Sequence, residues 1–387
     1  MSRHDRELLG PLPEFLRHGS GDVVSVVTPA GDKMWLVREY ALGRLVLTDK
    51  RFSRREAAEP HAPKLNDAQP APDSMMSMDG ADHARLRRVV AGAFAAGRVA
   101  AMSPSIQRLT GRYLDAIATS GPGTDVIEGL ARPLPLAIIC SLLGVPQEDG
   151  SQFRSWVDVL FDLSASSPRE KARRRLKLVT YMTNLIDHKR WRPEEDLLSD
   201  MLREHDRGLL SKEEFVTMGL ALLMAGYETT VGQIGLSVLS LLSDRAVWDE
   251  LREWPDRLAP VVEELLRLTP STPVSFPRVA VEDVSLGGVT VHAGEAVIVS
   301  LLDANRDGEA FDEPEWLVPS RRSASHLTFG HGVHRCLGAP LARLQVHTVL
   351  DGLLHRFPSL RLASRPDAVM WKDGLVTRGL SQLLVEW

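Results

Sequence analysis

Apolar residues recur along most of this chain with the 3.6-residue period of amphipathic helices. A smaller part alternates apolar and polar residues around glycine-containing turns, which predicts strands over residues 22–48 and 279–299. The predicted fold class is therefore mainly α with a minor β-sheet region. The helical period predicts helices over residues 81–96, 103–118, 126–143, 151–163, 169–188, 213–243, 259–268 and 339–357.

A proline-rich stretch follows neither period, and its prolines are Pro60, Pro63, Pro70 and Pro72. Long loops of this kind are usually lids over a binding site or flexible segments. We expect a lid over about residues 52–78, because the stretch ends in methionines that offer adaptable apolar surface. A floppy surface loop is the alternative.

Between Phe215 and Ser243 the only charged residue is Glu228. The stretch is long enough to cross a membrane. A carboxylate at the middle of a lipid-spanning helix is costly, however. We therefore expect a helix buried in the protein core and no membrane association.

The composition is that of a globular protein, with 44% hydrophobic and 25% charged residues among 387. No repeat or linker divides the chain, so we expect one domain over residues 1–387, as a monomer. The net charge of -5 gives no reason to expect nucleic acid. The first residues lack the apolar core of a signal peptide, and two cysteines make no disulfide framework, so the expected compartment is the cytoplasm.

Cys336 lies in a segment that can hold a thiolate still. We expect Gly332 and Gly338 to let the backbone turn where a side chain would collide, and Pro340 opens a helix whose N-terminus favours a thiolate. Such a thiolate is a metal ligand. Zinc is an alternative, although the spacing lacks the paired ligands of a structural zinc site; the nearby histidines are His326, His331 and His334. Cys140, in an apolar run, is predicted to be a small buried hydrophobic residue.

The segment from Phe329 to Gly338 fits the pattern Phe-x-x-Gly-x-x-x-Cys-x-Gly at every fixed position. It resembles the haem-binding loop of the cytochrome P-450 family. The resemblance implies the cytochrome P-450 fold and haem b (iron protoporphyrin IX) as cofactor, with Cys336 as the axial thiolate of its iron. It also implies that Phe329 and Gly338 contact the haem.

Haem carries two propionates, which need cationic or hydrogen-bonding partners in an apolar pocket. His83 and Arg87 share one helix face at i, i+4 spacing. Their segment is similar to the family's Asp-Pro-Pro-x-His-x-x-x-Arg element, although both prolines are replaced. Arg278 and His334 match two further propionate-binding positions of the family.

Glu264 and Arg267 match the family's Glu-x-x-Arg element, and their i, i+3 spacing allows an ion pair. Members of the family often add a second arginine from a later segment. Trp316 is expected to occupy the corresponding place here, and the sequence leaves open whether Arg321 or Arg322 substitutes.

The segment from Ala225 to Thr230 resembles the family's oxygen-activation element, which contains a small residue, glycine, an acid and threonine. Cleavage of dioxygen consumes protons, so a hydroxyl near the oxygen and an acid that relays protons from solvent suit this chemistry. The resemblance gives these catalytic roles to Thr229 and Glu228 and places Ala225 against the haem. The alternative is that Thr229 only forms a hydrogen bond to its own helix.

The resemblance also implies contacts with substrate and with an electron carrier. The implied substrate contacts are apolar, which favours a hydrophobic small molecule; they are Met76, Ala221, Met224, Val274, Phe276, Leu375 and Val376. Arg87, Arg335 and Arg343 are expected to form a basic patch where an acidic electron carrier docks.

The activity implied is that of a haem-thiolate monooxygenase that activates dioxygen and hydroxylates or epoxidises a hydrophobic small molecule of bacterial secondary metabolism. No flavin or NAD-binding segment is recognisable, so a ferredoxin and a ferredoxin reductase are the expected partners. The alternative is oxidative C–C or C–N coupling by the same haem chemistry without oxygen insertion. A non-catalytic helper with this fold is disfavoured, because Cys336, Glu228 and Thr229 are intact.

Overall fold

Helices dominate the structure, as the apolar period predicts. The computed structural model describes residues 2–3, 10, 12–17, 21–66, 71–150, 152, 156, 168–321, 325–372 and 377–387. The helices are α1 (Glu14–Arg17), α2 (Tyr40–Thr48), α3 (Arg54–Ala58), α4 (Gly80–Ala91), α5 (Ala96–Ala101), α6 (Ser103–Ser120), α7 (Pro133–Leu143), α8 (Pro168–Trp191), α9 (Leu197–Asp206), α10 (Lys212–Leu242), α11 (Arg245–Glu253), α12 (Leu258–Leu268), α13 (Leu301–Ala304) and α14 (Ala339–Arg356).

The strands are short. They are β1 (Ser2–Arg3), β2 (Val23–Val27), β3 (Lys33–Val37), β4 (Phe52–Ser53), β5 (Thr124–Asp125), β6 (Arg278–Ala280), β7 (Val284–Leu286), β8 (Val289–Val291), β9 (Ala296–Val299), β10 (Trp316–Leu317), β11 (Arg361–Leu362) and β12 (Leu384–Glu386).

The largest sheet has the strand order β2-β3-β9-β6-β4. Strands β2 and β3 form an antiparallel hairpin in the register Val23↔Val37, and β9 joins β3 in parallel. All residues of β9 are buried, as expected of a strand in the interior of a sheet. Strand β6 pairs with β9 and begins at Arg278, so the sheet fixes the position of a predicted propionate ligand.

Three expectations need correction. The strand prediction for residues 22–48 is wrong after Val37, because α2 buries positions 40, 43, 46 and 47, which is the spacing of a helix face. The predicted helix 126–143 is interrupted by a π-helical turn at Ile127–Ala131, after which α7 starts at Pro133. The predicted lid is not one loop, because β4, α3 and a 3₁₀ turn at Met75–Ser77 lie within it. The predicted helix 151–163 lies largely outside the described residues.

Helix α10 runs through the main hydrophobic core and packs against α7, α8 and α14. A capping box between Ser211 and Glu214 fixes its N-terminus. Its length and composition would suit a membrane span, but 61% of its most apolar window is buried inside the protein, as in a core helix. Two smaller core clusters lie at the sheet.

The C-terminal segment touches α10 at a glycine. A Cβ atom on Gly232 would lie 2.5 Å from the carbonyl oxygen of Arg378. Gly379 follows, and a Cβ atom there would lie 3.5 Å from the Cα of Gly232. The lack of a side chain at Gly232 therefore allows the two backbones to approach closely.

We expect Gly232→Ala to destabilise the protein by about 1–3 kcal/mol, the usual cost of overpacking. This loss should exceed the gain of about 1 kcal/mol that alanine brings to a helix interior. Gly226→Ala is the matched control on the same helix, because its Cβ would meet only the end of the Ile139 side chain, at 3.2 Å. Chemical denaturation of both variants measures the difference, and equal stability would contradict the close backbone contact.

Candidate active site

Hydrogen bonds within the cysteine loop fix the position of Cys336. Its N–H donates to the carbonyl oxygen of Phe329 at 2.7 Å. Gly332 has φ +71°, and a Cβ atom there would lie 2.9 Å from the carbonyl oxygen of Leu47 in α2, so both its conformation and its packing require glycine. The expectation for Gly338 is wrong in its reason: its φ is −78° and a Cβ atom would stay 4.0 Å from the sulfur. Gly338 acts through its N–H instead.

The Cys336 thiol is accessible although protein surrounds it on most sides, so its accessible surface faces a cleft inside the molecule. Burial raises the pKa of this thiol. The N–H groups of Gly338 and Ala339 and the cations Arg87 and Arg335 act in the opposite direction. Donors and cations gathered around a sulfur suit a thiolate, and a bound metal ion deprotonates such a ligand outright.

The four residues predicted to bind the haem propionates lie together beside this loop. The rings of His83 and His334 are in contact, with centroids 4.1 Å apart and planes tilted by 41°, and Arg87 donates to the carbonyl oxygen of Arg335 at 2.8 Å. Burial, together with the neighbouring cations His334 and Arg87, lowers the pKa of His83 to about 4. Arg278 is close enough to lower the pKa of both histidines. The structure thus brings these four residues into one group of cations and donors.

Arg278 provides a test of whether the group fits haem. Its two terminal nitrogens donate to the carbonyl oxygens of Phe52 (3.1 Å) and Leu47 (3.3 Å). Its Nε is buried and has no hydrogen-bond partner among the described residues. An unpartnered N–H in a buried cationic group is what a carboxylate of the cofactor would satisfy. The residues therefore fit a haem held by Cys336 from one side and by its propionates at this group; bound haem supplies the dioxygen chemistry, and the thiolate donates electron density to the iron.

Sequence reasoning missed two residues beside this group. The carboxylate of Asp79 accepts from the N–H groups of Arg54 and Arg55 and lies 3.3 Å from the His334 ring. Arg54 is almost fully buried, donates to the carbonyl oxygens of Met76 (2.9 Å) and Pro277, and stacks on the Phe276 ring. Arg54 thereby ties the predicted lid to the start of β6. No sequence motif marks it, because an arginine after a short strand is usually a surface residue.

Arg321 is the third partner that the sequence left open. Arg267 forms a bidentate ion pair with Glu264, at 2.8 and 2.9 Å, and Arg321 donates to the same carboxylate at 3.0 Å. The carbonyl oxygen of Trp316 accepts from both arginines. Trp316 thus contributes its backbone, and Arg321 supplies the second cation. Arg322 lies outside the described residues.

The predicted oxygen-activation residues occupy the middle of α10. Thr229 Oγ1 donates to the carbonyl oxygen of Ala225 at 2.7 Å, which is the hydrogen bond of the alternative interpretation. The hydroxyl oxygen keeps its lone pairs, so this bond does not prevent it from accepting another. Glu228 is buried and pairs with Lys372, a residue that sequence reasoning missed, at 2.5 Å. Ala225 is exposed although it lies in a core helix, so its face of α10 borders a cleft.

The predicted substrate contacts are only partly supported. Met76, Ala221 and Met224 are partly accessible, and Phe276 is 58% exposed. Val274 is 1% exposed and packs in a core cluster of the sheet. Because it offers no accessible surface, we remove it from the candidate substrate contacts. Leu375 and Val376 lie outside the described residues.

The arginines of the predicted basic patch differ in how far their charges are compensated by neighbouring acids. Arg335 is exposed. Arg343 forms a bidentate ion pair with Glu263, at 2.5 and 2.9 Å, and stacks on the Phe329 ring at 4.6 Å. Burial alone would raise the pKa of Glu263, but His326 and Arg343 hold it at about 2. The charge of Arg343 is therefore largely compensated, and Arg335 is the freer cation.

The structure also bears on the zinc alternative for Cys336 and on the environment of Cys140. Among the described residues, no group of three or more histidine, cysteine and acidic side chains could hold a metal ion, which argues against a zinc site. Cys140 is buried, and burial raises the pKa of its thiol to about 12, as expected for a packed hydrophobic residue.

Comparisons with known proteins show the family to which the chain belongs. The family model of cytochrome P-450 matches residues 256–379. The chain is 40% identical to nocardicin C N-oxygenase of Nocardia uniformis subsp. tsuyamanensis, over 93% of this chain and 91% of that protein. It is 37% identical to the mycinamicin IV hydroxylase/epoxidase of Micromonospora griseorubida, over 94% of this chain and 92% of that protein.

Similarity to solved structures extends over the whole chain. A crystal structure of HinD with NMFT and NO has a TM-score of 0.91 and 41% identity, and the match covers 100% of this chain and 98% of that one. The predicted fold class is confirmed. Identity at this level over nearly full length, together with the cysteine loop, establishes that the chain belongs to the cytochrome P-450 family of haem-thiolate monooxygenases, whose cofactor is iron protoporphyrin IX with a cysteine axial ligand.

Proposed function

We propose that this monooxygenase hydroxylates or epoxidises a hydrophobic small molecule of bacterial secondary metabolism. The observation that carries the proposal is the accessible face of α10, where Ala221, Ala225 and Thr229 recur at i, i+4 and i+8 while Leu223 and Tyr227 are buried. A face of small and apolar residues beside a haem site suits an apolar ligand. The relatives named for oxygenation of nocardicin C and mycinamicin IV support a natural product as the substrate.

A screen of natural products by difference spectroscopy tests this proposal. A ligand that binds beside the haem would change its absorption, so binding can be measured without turnover. Turnover of the best ligand with a ferredoxin and its reductase should add one oxygen atom to its mass. A product that has only lost hydrogen would favour oxidative coupling instead, and absence of any apolar ligand would contradict the proposal.

In this proposal Glu228 and Thr229 carry protons to the dioxygen site. Thr229 lies on the accessible face of α10, whereas Glu228 is the only acid of the helix between Phe215 and Ser243. An acid that takes part in a proton relay can reload the hydroxyl after each transfer. The chain, as a single cytoplasmic domain, would receive its electrons from a ferredoxin that a ferredoxin reductase reduces.

We expect Thr229→Ala to raise the fraction of electrons released as hydrogen peroxide several-fold, because the oxygen loses its nearby proton donor. Removal of a positioned acid–base group costs about 10²–10⁴ in rate where it is fully engaged. Thr229→Ser keeps the hydroxyl and should retain most of the wild-type coupling. Peroxide released per NADPH consumed measures the effect, and an unchanged ratio in Thr229→Ala would exclude the role.

The expected docking face for ferredoxin centres on Arg335. At low ionic strength we expect Arg335→Glu to slow ferredoxin-dependent haem reduction about tenfold, because steering by charge governs such association rates. The difference should shrink as salt is added. Arg343→Gln should have a smaller effect, since Glu263 already compensates Arg343. Stopped-flow reduction under carbon monoxide provides the rates; equal rates for Arg335→Glu and the wild type at low salt would place the docking face elsewhere.

A further inference from the structure

The C-terminal segment contributes one cation to the middle of α10. The Nζ atom of Lys372 lies 2.5 Å from Oε1 of Glu228. The two side chains are 12% and 5% exposed, so the pair is almost completely removed from bulk water. Among the described residues, Lys372 is the only hydrogen-bond partner of this carboxylate.

Glycines bring the pair together. The N–H of Lys372 donates to the carbonyl oxygen of Gly379 at 3.0 Å, and Gly379 lies against Gly232 of α10. Glu228 and Gly232 are one turn apart on the same face of the helix. The close backbone contact at Gly232 therefore places the base of the lysine side chain within reach of the acid one turn earlier.

The acid and the predicted proton donor leave α10 in different directions. Consecutive residues of an α-helix project about 100° apart, since a turn contains 3.6 residues. Glu228 is directed to the C-terminal segment, whereas Thr229 lies on the accessible face with Ala225. A carboxylate in this arrangement can serve Thr229 only if its position is controlled.

We propose that Lys372 is a positioning residue for the proton relay. Its ammonium group holds the Glu228 carboxylate by a charged hydrogen bond, at a fixed place relative to the hydroxyl-bearing face of α10. The inference rests on the proposed role of Glu228 in proton delivery.

The physical reason lies in the burial of the carboxylate. A relay group has to accept and release a proton in every cycle, so both of its states must be accessible. A carboxylate that is buried without a cation takes up a proton and keeps it, because desolvation disfavours the charged form. Removal of one partner of a buried ion pair leaves the other uncompensated. Lys372 therefore keeps Glu228 able to take part in repeated transfers.

The variant that tests the inference is Lys372→Met, which keeps the length of the side chain and removes its charge. At neutral pH its infrared spectrum should gain the C=O stretching band of a protonated carboxylic acid. This band should be absent from the wild type and from the double variant Glu228→Gln/Lys372→Met. The measurement does not require turnover and reports the Glu228 carboxyl group directly.

Oxygen consumption provides the functional readout. With a surrogate plant-type ferredoxin and its reductase, Lys372→Met should consume oxygen about tenfold more slowly, a part of the 10²–10⁴ that a well-placed acid–base group contributes. Glu228→Gln should show a comparable loss, and the double variant should lose no more than either single variant, since both act on one element. Lys372→Arg should restore much of the rate, because a guanidinium group also forms charged hydrogen bonds to a carboxylate.

Lys189→Met is a matched control for general destabilisation. Lys189 is also a buried lysine, paired with Asp196 at 2.5 Å, but it lies at the end of α8. Its removal should lower the midpoint of thermal unfolding without changing oxygen consumption by the folded protein.

The outcomes distinguish the relay role of Glu228 from the positioning role of Lys372. If Glu228→Gln leaves oxygen consumption unchanged, the relay role of Glu228 is wrong, and the inference about Lys372 falls with it. If Glu228→Gln slows the reaction while Lys372→Met has the wild-type rate or lacks the carboxylic acid band, the relay stands and the positioning role of Lys372 is overturned. A loss of rate in Lys189→Met equal to that in Lys372→Met would also overturn it.

Discussion

Charges inside an apolar core require partners, and this requirement determines how the interior of the protein is arranged. The bidentate pair of Glu264 with Arg267, reinforced by Arg321, anchors α12 to the segment that follows α13. Asp79 compensates part of the positive charge of Arg54 and Arg278. Glu228 is compensated by Lys372 from the far end of the chain. The contacts made by Arg321, Asp79 and Lys372 join segments that are distant in sequence, so ion pairing and the tertiary fold depend on each other.

Local patterns were sufficient to predict the long helices. The starts of α6 and α14 were predicted to the residue, and α10 to within one residue at either end, because their apolar faces repeat over several turns. Short elements were harder. Within the nine residues of α2 a helical face and a strand alternation look alike, and tertiary packing decides between them. The interruption of the predicted helix 126–143 also depends on packing, since the π-helical turn follows β5 and is followed by α7.

The site residues that were predicted are those of the cysteine loop, the propionate group and the oxygen-activation element, all of which lie in recognisable motifs. The structure places His83, Arg87, Arg278 and His334 together, although their spacing along the chain extends over most of its length. Arg54, Asp79, Arg321 and Lys372 were missed or left open, because their importance comes from burial and from partners far away in sequence. A lysine or an arginine is normally exposed. Only three-dimensional contacts show that these are not.

Two neighbouring positions of the cysteine loop differ in how strongly the structure constrains the residue they can hold. Gly332 is held by its backbone conformation and by the contact with Leu47, so hardly any other residue can occupy it. Val333, the next residue, is 65% exposed. Mutations at Val333 can therefore alter the outer surface of the loop while the sulfur atom keeps its place. The outer surface of the loop could therefore change during evolution to fit a different redox protein, while the bond between the sulfur and the haem iron stays the same.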